Sequence, residues 1–261
     1  MVEFSGKIAV VTGTSGIGRA AAIALAKEGA TVTALGIDPK ANAELAEIAA
    51  GEALSLAVRQ ADVADEHQVA AVFEALGREH GGLDVIVNSA AVHPYGTVVT
   101  TEHEIFLRAY AVNVGSIQLT GKYGIPLMEK KGGGAILNIA SVQGHACQKN
   151  VAAYVATKGA IHALTRAMAL DHAKANVRVN SISPGSVRTP ILELAARTFD
   201  GDDADVEDAF RRFGAAHPIG RIGEPEEVAR LVCFLASEKS GFITGADYRI
   251  DGGLLAGLGV A

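Results

Sequence analysis

The chain has no tryptophan, only two cysteines, and aromatic residues at 5% of its length. Cys147 and Cys233 stand far apart and match neither a C-x-x-C nor a zinc-ligand spacing, which argues against a disulfide scaffold or a metal knuckle. There is no block of lysine and arginine, and the formal net charge is −6. The attraction that dominates binding to nucleic acid or to an anionic membrane surface is therefore missing, and neither partner is expected. No apolar run reaches membrane-spanning length. Residues 1–5 lead into a strand-like segment without the charged start and long apolar stretch of an export signal. The expectation is a cytoplasmic protein with a small-molecule substrate and no bound metal.

What is present suits a large core with many tight turns: 49% hydrophobic residues and 30 glycines in 261 residues. Short, largely uncharged runs at 8–11, 31–35, 54–57, 85–87, 135–139, 177–182 and 247–250 read as buried strands. Between them, segments near 17–28, 40–50, 66–79, 102–129, 152–174 and 225–236 have helical period. This alternation predicts an α/β fold: one Rossmann-like domain over 1–261, a doubly wound parallel sheet of about seven strands with helices on both faces. One segment breaks the rhythm. From 186 to 221 the chain turns polar and acidic, and a loop of that length reads as a lid.

The first strand runs into Thr12-Gly13-Thr14-Ser15-Gly16-Ile17-Gly18 and then an alanine-rich helix. In that turn Gly13 permits the sharp bend, Gly16 lets backbone approach a pyrophosphate, and Gly18 permits close helix packing. The helix N-terminus attracts phosphate charge. Tyr154 and Lys158 are spaced i, i+4 at the start of a helix and share one face. A phenol with a pKa of about 10 must fall by roughly 3 units to act as a base near neutral pH, and a neighbouring ammonium has the right sign. Ser141 ends the fifth strand, at the sheet edge where ligands bind, and its hydroxyl can steady a substrate oxygen.

Taken in order along the chain, these segments resemble the short-chain dehydrogenase/reductase family over almost the whole length. The resemblance implies a catalytic tetrad of Asn113, Ser141, Tyr154 and Lys158. Tyr154 would exchange a proton with the substrate while a hydride moves to or from the nicotinamide. Lys158 would bind the nicotinamide ribose and lower the tyrosine pKa, and Asn113 would support a helix-bound water. For the cofactor, NAD or NADP, it implies contacts from Gly13, Ser15, Gly16, Ile17 and Gly18, from Asp62-Val63 at the adenine, and from Asn88 and Ala90. Pro184-Gly185, Val187 and Thr189 would form the nicotinamide-side loop, and Asp251-Gly252-Gly253 a C-terminal signature. It also implies a homotetramer, and the apolar tail 252–261 is expected to be buried against the body or a neighbour.

The chain departs from the family pattern in three places. Only Thr14 and Ser15 separate the first two glycines, one residue fewer than usual. Asn88-Ser89-Ala90-Ala91 replaces Asn-Asn-Ala-Gly, and Gly36 replaces the usual NAD-selecting acid, with Asp38 two residues on. Asp38, in extended chain before Pro39, points to the same side as position 36 and favours NAD. Room above Gly36 and a nearby Lys40 argue the other way. Gln143 and Gln148, with His93, His145, Pro190 and Ile191, are expected to line the substrate pocket, which suggests a small polar sugar- or polyol-like substrate. The alternatives are a 3-oxoacyl-type ketoreductase and a non-catalytic dinucleotide-binding regulator.

Overall fold

The computed structural model describes residues 3–257. The first two residues and Leu258–Ala261, which belong to the terminal expectations above, lie outside the described residues. In chain order the elements are β1 (Ile8–Thr12), α1 (Gly16–Lys27), β2 (Thr31–Gly36), α2 (Pro39–Gly51), β3 (Leu56–Gln60), α3 (Glu66–His80), β4 (Val85–Asn88) and α4 (His103–Tyr110). They continue with α5 (Ser116–Lys130), β5 (Gly134–Ile139), α6 (Ala152–His172), β6 (Val177–Pro184), α7 (Pro190–Asp200), α8 (Val206–Ala215), α9 (Pro225–Ala236) and β7 (Asp247–Ile250).

The strands form one seven-stranded sheet in the order β3-β2-β1-β4-β5-β6-β7, and every pairing is parallel. Alternation along the strands explains the two layers of helices. Ala9, Val11, Val32, Ala34, Val85, Val87 and Leu137 point into one apolar cluster with side chains of α1, α2 and α9. Ile8, Val10, Ile86, Ile136, Val177 and Val179 point into the other, against α3, α5 and α6. Both faces are covered, so the strands read as continuous apolar runs. The order reverses between β1 and β4, and the carboxyl ends of these two strands form the crevice where such sheets bind ligands.

The third strand lies two residues later than the sequence predicts. Leu54 still closes α2, its N–H donating to Ala49 O, and the strand takes in Arg59 and Gln60, which an edge strand accommodates because one flank faces solvent. The predicted long helix at 102–129 is α4 and α5 joined by a π-helical turn at Ala111–Gly115, which contains Asn113. The segment 186–221 is not a structureless loop: it holds α7 and α8. Its charges cap and pair these helices. Asp205 accepts from the Glu207 and Asp208 N–H groups at the start of α8, and Arg188 pairs with Glu207.

Candidate active site

The glycine turn is held from both sides. Gly13, at φ +92°, donates its N–H to Leu35 O. The Thr12 hydroxyl accepts from the Ser89 and Ala90 N–H groups at 3.0 and 3.1 Å, fixing the end of β4 beside the turn. A Cβ on Gly18 would sit 2.2 Å from Gly13 O, and one on Gly16 would sit 2.9 Å from the Thr189 methyl at the start of α7. So Gly18 lets the helix close on the turn, and Gly16 lets the turn slide under the start of α7. Gly13, Ser15, Gly16 and Ile17 face the cleft, whereas Gly18 lies beneath it.

At the end of β2 the space above Gly36 is filled. The Thr14 hydroxyl donates to Asn42 Oδ1 at 2.7 Å and Asn42 Nδ2 donates to Gly36 O at 3.0 Å. A Cβ at Gly36 would lie 2.2 Å from both Thr14 Oγ1 and Asn42 Oδ1. The expected open room above this glycine is therefore absent. Asp38 faces the cleft and caps α2, its carboxylate accepting from Lys40 N at 2.9 Å. Arg19 turns away to Glu44 at 2.7 Å.

Asp62 and Val63 also line the cleft. The Asp62 carboxylate accepts from Ala64 N at 2.9 Å and pairs with Arg108 at 2.8 Å. Asn88 does not reach the cleft. It is buried in a polar chain in which Thr120 donates to Asn88, Asn88 to Asn138, and Asn138 to Thr165, bracing β4 against β5. Ala90, Pro184, Gly185, Val187 and Thr189 all line the cleft. The buried His217, which no sequence signal singled out, accepts from Ser186 N at 3.0 Å and fixes the turn after β6. Asp251 accepts from Gly253 N and Leu255 N, shaping the glycine turn that brings Leu254 and Leu255 to the cleft.

Ser141, Tyr154 and Lys158 meet at one point of this cleft, whose volume is about 660 Å³. All three are buried. Lys158 Nζ lies 5.2 Å from the Tyr154 ring centroid and donates to Ile139 O at 2.9 Å. Burial pushes the Tyr154 phenol well above the usual phenol range, partly opposed by the hydrogen bond with Ser141. Burial brings the Lys158 ammonium down to about 7. Both shifts have one cause: little solvent reaches the charged form of either group. Asn113 sits apart from the cleft. Its Oδ1 accepts from Val92 N at 2.8 Å, and its Nδ2 donates to Val92 O at 2.9 Å and Thr157 Oγ1 at 3.0 Å.

Of the predicted pocket residues, His93, Gln143, Gln148, Pro190 and Ile191 line the cleft; His145 does not, and turns instead to Asp247 at 2.7 Å. The His93 ring packs on Tyr154 and on Tyr95. Tyr95 and Phe199, which meet edge to face, complete an apolar wall that isolated aromatic residues, one in the loop after β4 and one on α7, gave no signal for.

A glycine turn, a helix N-terminus and a Ser-Tyr-Lys cluster thus share one crevice at the switch point of a parallel sheet. The family model described as "Enoyl-(Acyl carrier protein) reductase" matches residues 11–255. The chain belongs to the short-chain dehydrogenase/reductase family. This dehydrogenase is an oxidoreductase acting on CH–OH donors, with a nicotinamide dinucleotide as cofactor and a small molecule as substrate. It is similar to cyclohexanol dehydrogenase of Acinetobacter, at 35% identity over 96% of this chain and 95% of the relative. It is 36% identical to 2-keto-3-deoxy-L-fuconate dehydrogenase of Xanthomonas campestris, over 96% of this chain and 81% of the relative. Among solved structures, L-sorbose reductase of Gluconobacter frateurii, complexed with NADPH and L-sorbose, superposes with a TM-score of 0.91 at 32% identity, over 98% of this chain and 99% of that one.

The residues of the dehydrogenase fit a dinucleotide. Side chains at Gly13, Gly16 and Gly18 would fill or distort the cradle, and the cleft runs unbroken from that cradle to Tyr154. Among the described residues, no helix is long and apolar enough to cross a membrane.

Proposed function

We propose that this dehydrogenase interconverts a small, polar secondary alcohol and its ketone, with Tyr154 as the proton-transfer group and NAD as the preferred cofactor. The observation that carries the proposal is the convergence of Ser141, Tyr154 and Lys158 in the cleft that begins at the glycine turn. A nicotinamide held in this cleft would supply or accept the hydride. In reduction Tyr154, kept protonated by burial, donates its phenolic proton to the carbonyl oxygen; in oxidation the same group acts as the phenolate, which takes the proton from the hydroxyl and returns to the phenol. Ser141 holds the substrate oxygen beside that phenol. The Lys158 ammonium stabilises the phenolate as it forms, and Asn113 positions by tying the Val92 loop to α6.

The polar substrate follows from two buried atoms at the cleft without hydrogen-bond partners among the described residues, His93 Nδ1 and Gln143 Oε1. A hydroxylated substrate offers each a partner, whereas an apolar alcohol leaves both unpaired at about 1–3 kcal/mol each. NAD is favoured because Asp38 presents a carboxylate to the cleft, Thr14 and Asn42 occupy the space above Gly36, and Glu44 engages Arg19. A 2′-phosphate would meet an anion there and no unengaged arginine.

Two further expectations belong to the same proposal. The segment with α7 and α8 acts as a lid, since Thr189, Pro190, Leu192 and Phe199 border the cleft. The protein assembles as a homotetramer, supported by the exposed apolar side chains Ile105, Leu107 and Tyr110 on α4 and by Phe234 and Phe242. Turnover of sugars, polyols and alicyclic alcohols with both cofactors tests the function. Activity confined to apolar alcohols would contradict the polar substrate.

A further inference from the structure

Outside the lining of the cleft, His145, His162 and Asp247 come together from three elements. His145 follows the short 3-10 turn at Val142–Gly144, His162 lies on α6 one turn beyond Lys158, and Asp247 opens β7. Their ligand-capable atoms all lie within 4.8 Å of one another. His145 Nε2 is 2.7 Å from one Asp247 oxygen and His162 Nε2 is 3.4 Å from the other.

We propose that His145, His162 and Asp247 bind a divalent metal ion of the zinc class, separate from the hydride-transfer site. Two imidazoles and one carboxylate form a donor set that suits zinc and its neighbours better than magnesium or calcium, which take oxygen ligands. Donors about 2.0–2.1 Å from a tetrahedral ion stand about 3.4 Å apart. The two separations run to different carboxylate oxygens, 3.4 Å from His162 Nε2 to Oδ1 and 2.7 Å from His145 Nε2 to Oδ2, so an ion held by both oxygens of Asp247 requires the second pair to open by less than about 1 Å and the two imidazoles, stacked with planes 27° apart, to turn toward it.

The carboxylate is oriented as a ligand should be. Ser181 and Ser183 both donate to Asp247 Oδ1, at 2.6 and 2.8 Å, the kind of support that fixes metal-binding carboxylates, and Ser183, its one proton so committed, accepts from His162 Nε2 at 2.9 Å, a bond that the ion would replace. His145 is 39% exposed, which opens a path for the ion and leaves the fourth position to water. Residues so distant in sequence give no spacing motif, so nothing in the chain announces the site. Occupancy would tie the loop that carries Ser141 and Gln143 to the catalytic helix and to the edge of the sheet.

The test uses the metal-stripped full-length protein, titrated with zinc by calorimetry and with cobalt by visible absorption. The expected result is one equivalent bound per chain, cobalt bands of a four-coordinate site, and a thermal midpoint that rises with zinc. In His145→Ala the affinity should fall by at least roughly tenfold. The metal-free thermal midpoint checks that this variant folds; should it not, His145→Gln, which can keep a hydrogen bond to Asp247, takes its place. No uptake by the wild type, or equal affinity in the folded variant, overturns the proposal.

Discussion

The imidazole of His93 lies against the phenol ring of Tyr154, with ring centroids 3.9 Å apart and planes tilted by 39°. Desolvation brings the His93 pKa down to about 4 from 6.5, so the ring is neutral at physiological pH. The unfolded chain takes up this proton near the ordinary value and the folded chain only near 4. Stability from the neutral ring is therefore complete above 6.5 and lost as pH falls toward 4, by at most about 3 kcal/mol. Thermal midpoints from pH 4 to 7 should decline more steeply in the wild type than in His93→Gln. Parallel declines would show that His93 is not the group responsible.

The unpartnered Nδ1 of the same ring predicts a specificity effect. His93→Leu and Gln143→Leu should each lower kcat/KM on a hydroxylated substrate by about 5- to 150-fold, the equivalent of 1–3 kcal/mol. Efficiency on an alicyclic alcohol should change little. A uniform loss on both substrate types would mean these residues shape the cleft without reading hydroxyl groups.

Gly36 predicts a departure from family engineering logic. Gly36→Asp should not sharpen NAD selection, because its Cβ has no space beside Thr14 and Asn42; it should weaken cofactor binding and stability together. Asp38→Ser should instead move the ratio of kcat/KM values toward NADP by about tenfold, as loss of one repulsive charge near the 2′-phosphate implies. An unchanged ratio would place the selecting group elsewhere.

Most of the fold was legible because doubly wound sheets bury both faces, so strands such as Ile136–Leu137 and helices such as the alanine-rich α1 carry clear patterns. Less was legible where tertiary packing decides. Helices α7 and α8 form in a segment whose acidic composition reads as a long loop, because the acids serve as caps and ion-pair partners of arginines. In the site, the glycine turn, Ser141, Tyr154 and Lys158 follow from local spacing. The Thr14–Asn42 bridge, His217 under the β6 turn and the turning of His145 to Asp247 join residues 28, 31 and 102 positions apart, which no local pattern encodes.

Lys158 couples function and stability with opposite signs. Its folded pKa, about 7, lies below the ordinary 10.5, so burying the ammonium costs stability in full below pH 7 and progressively less as pH rises through 7 toward 10.5. Lys158→Met should therefore raise the thermal midpoint at pH 6 and lose that advantage near pH 10, while lowering both turnover and cofactor affinity. A variant less stable at pH 6 than at pH 10, relative to wild type, would contradict the assigned cause.

The most direct measurement is turnover of Tyr154→Phe, compared with cofactor affinity in the same preparation. The substitution removes one hydroxyl and leaves the ring packed on His93. Proton transfer through Tyr154 predicts a kcat reduced by about 10²–10⁴-fold, with cofactor affinity and thermal midpoint close to wild type. Turnover within a few-fold of wild type would contradict Tyr154 as the proton-transfer group.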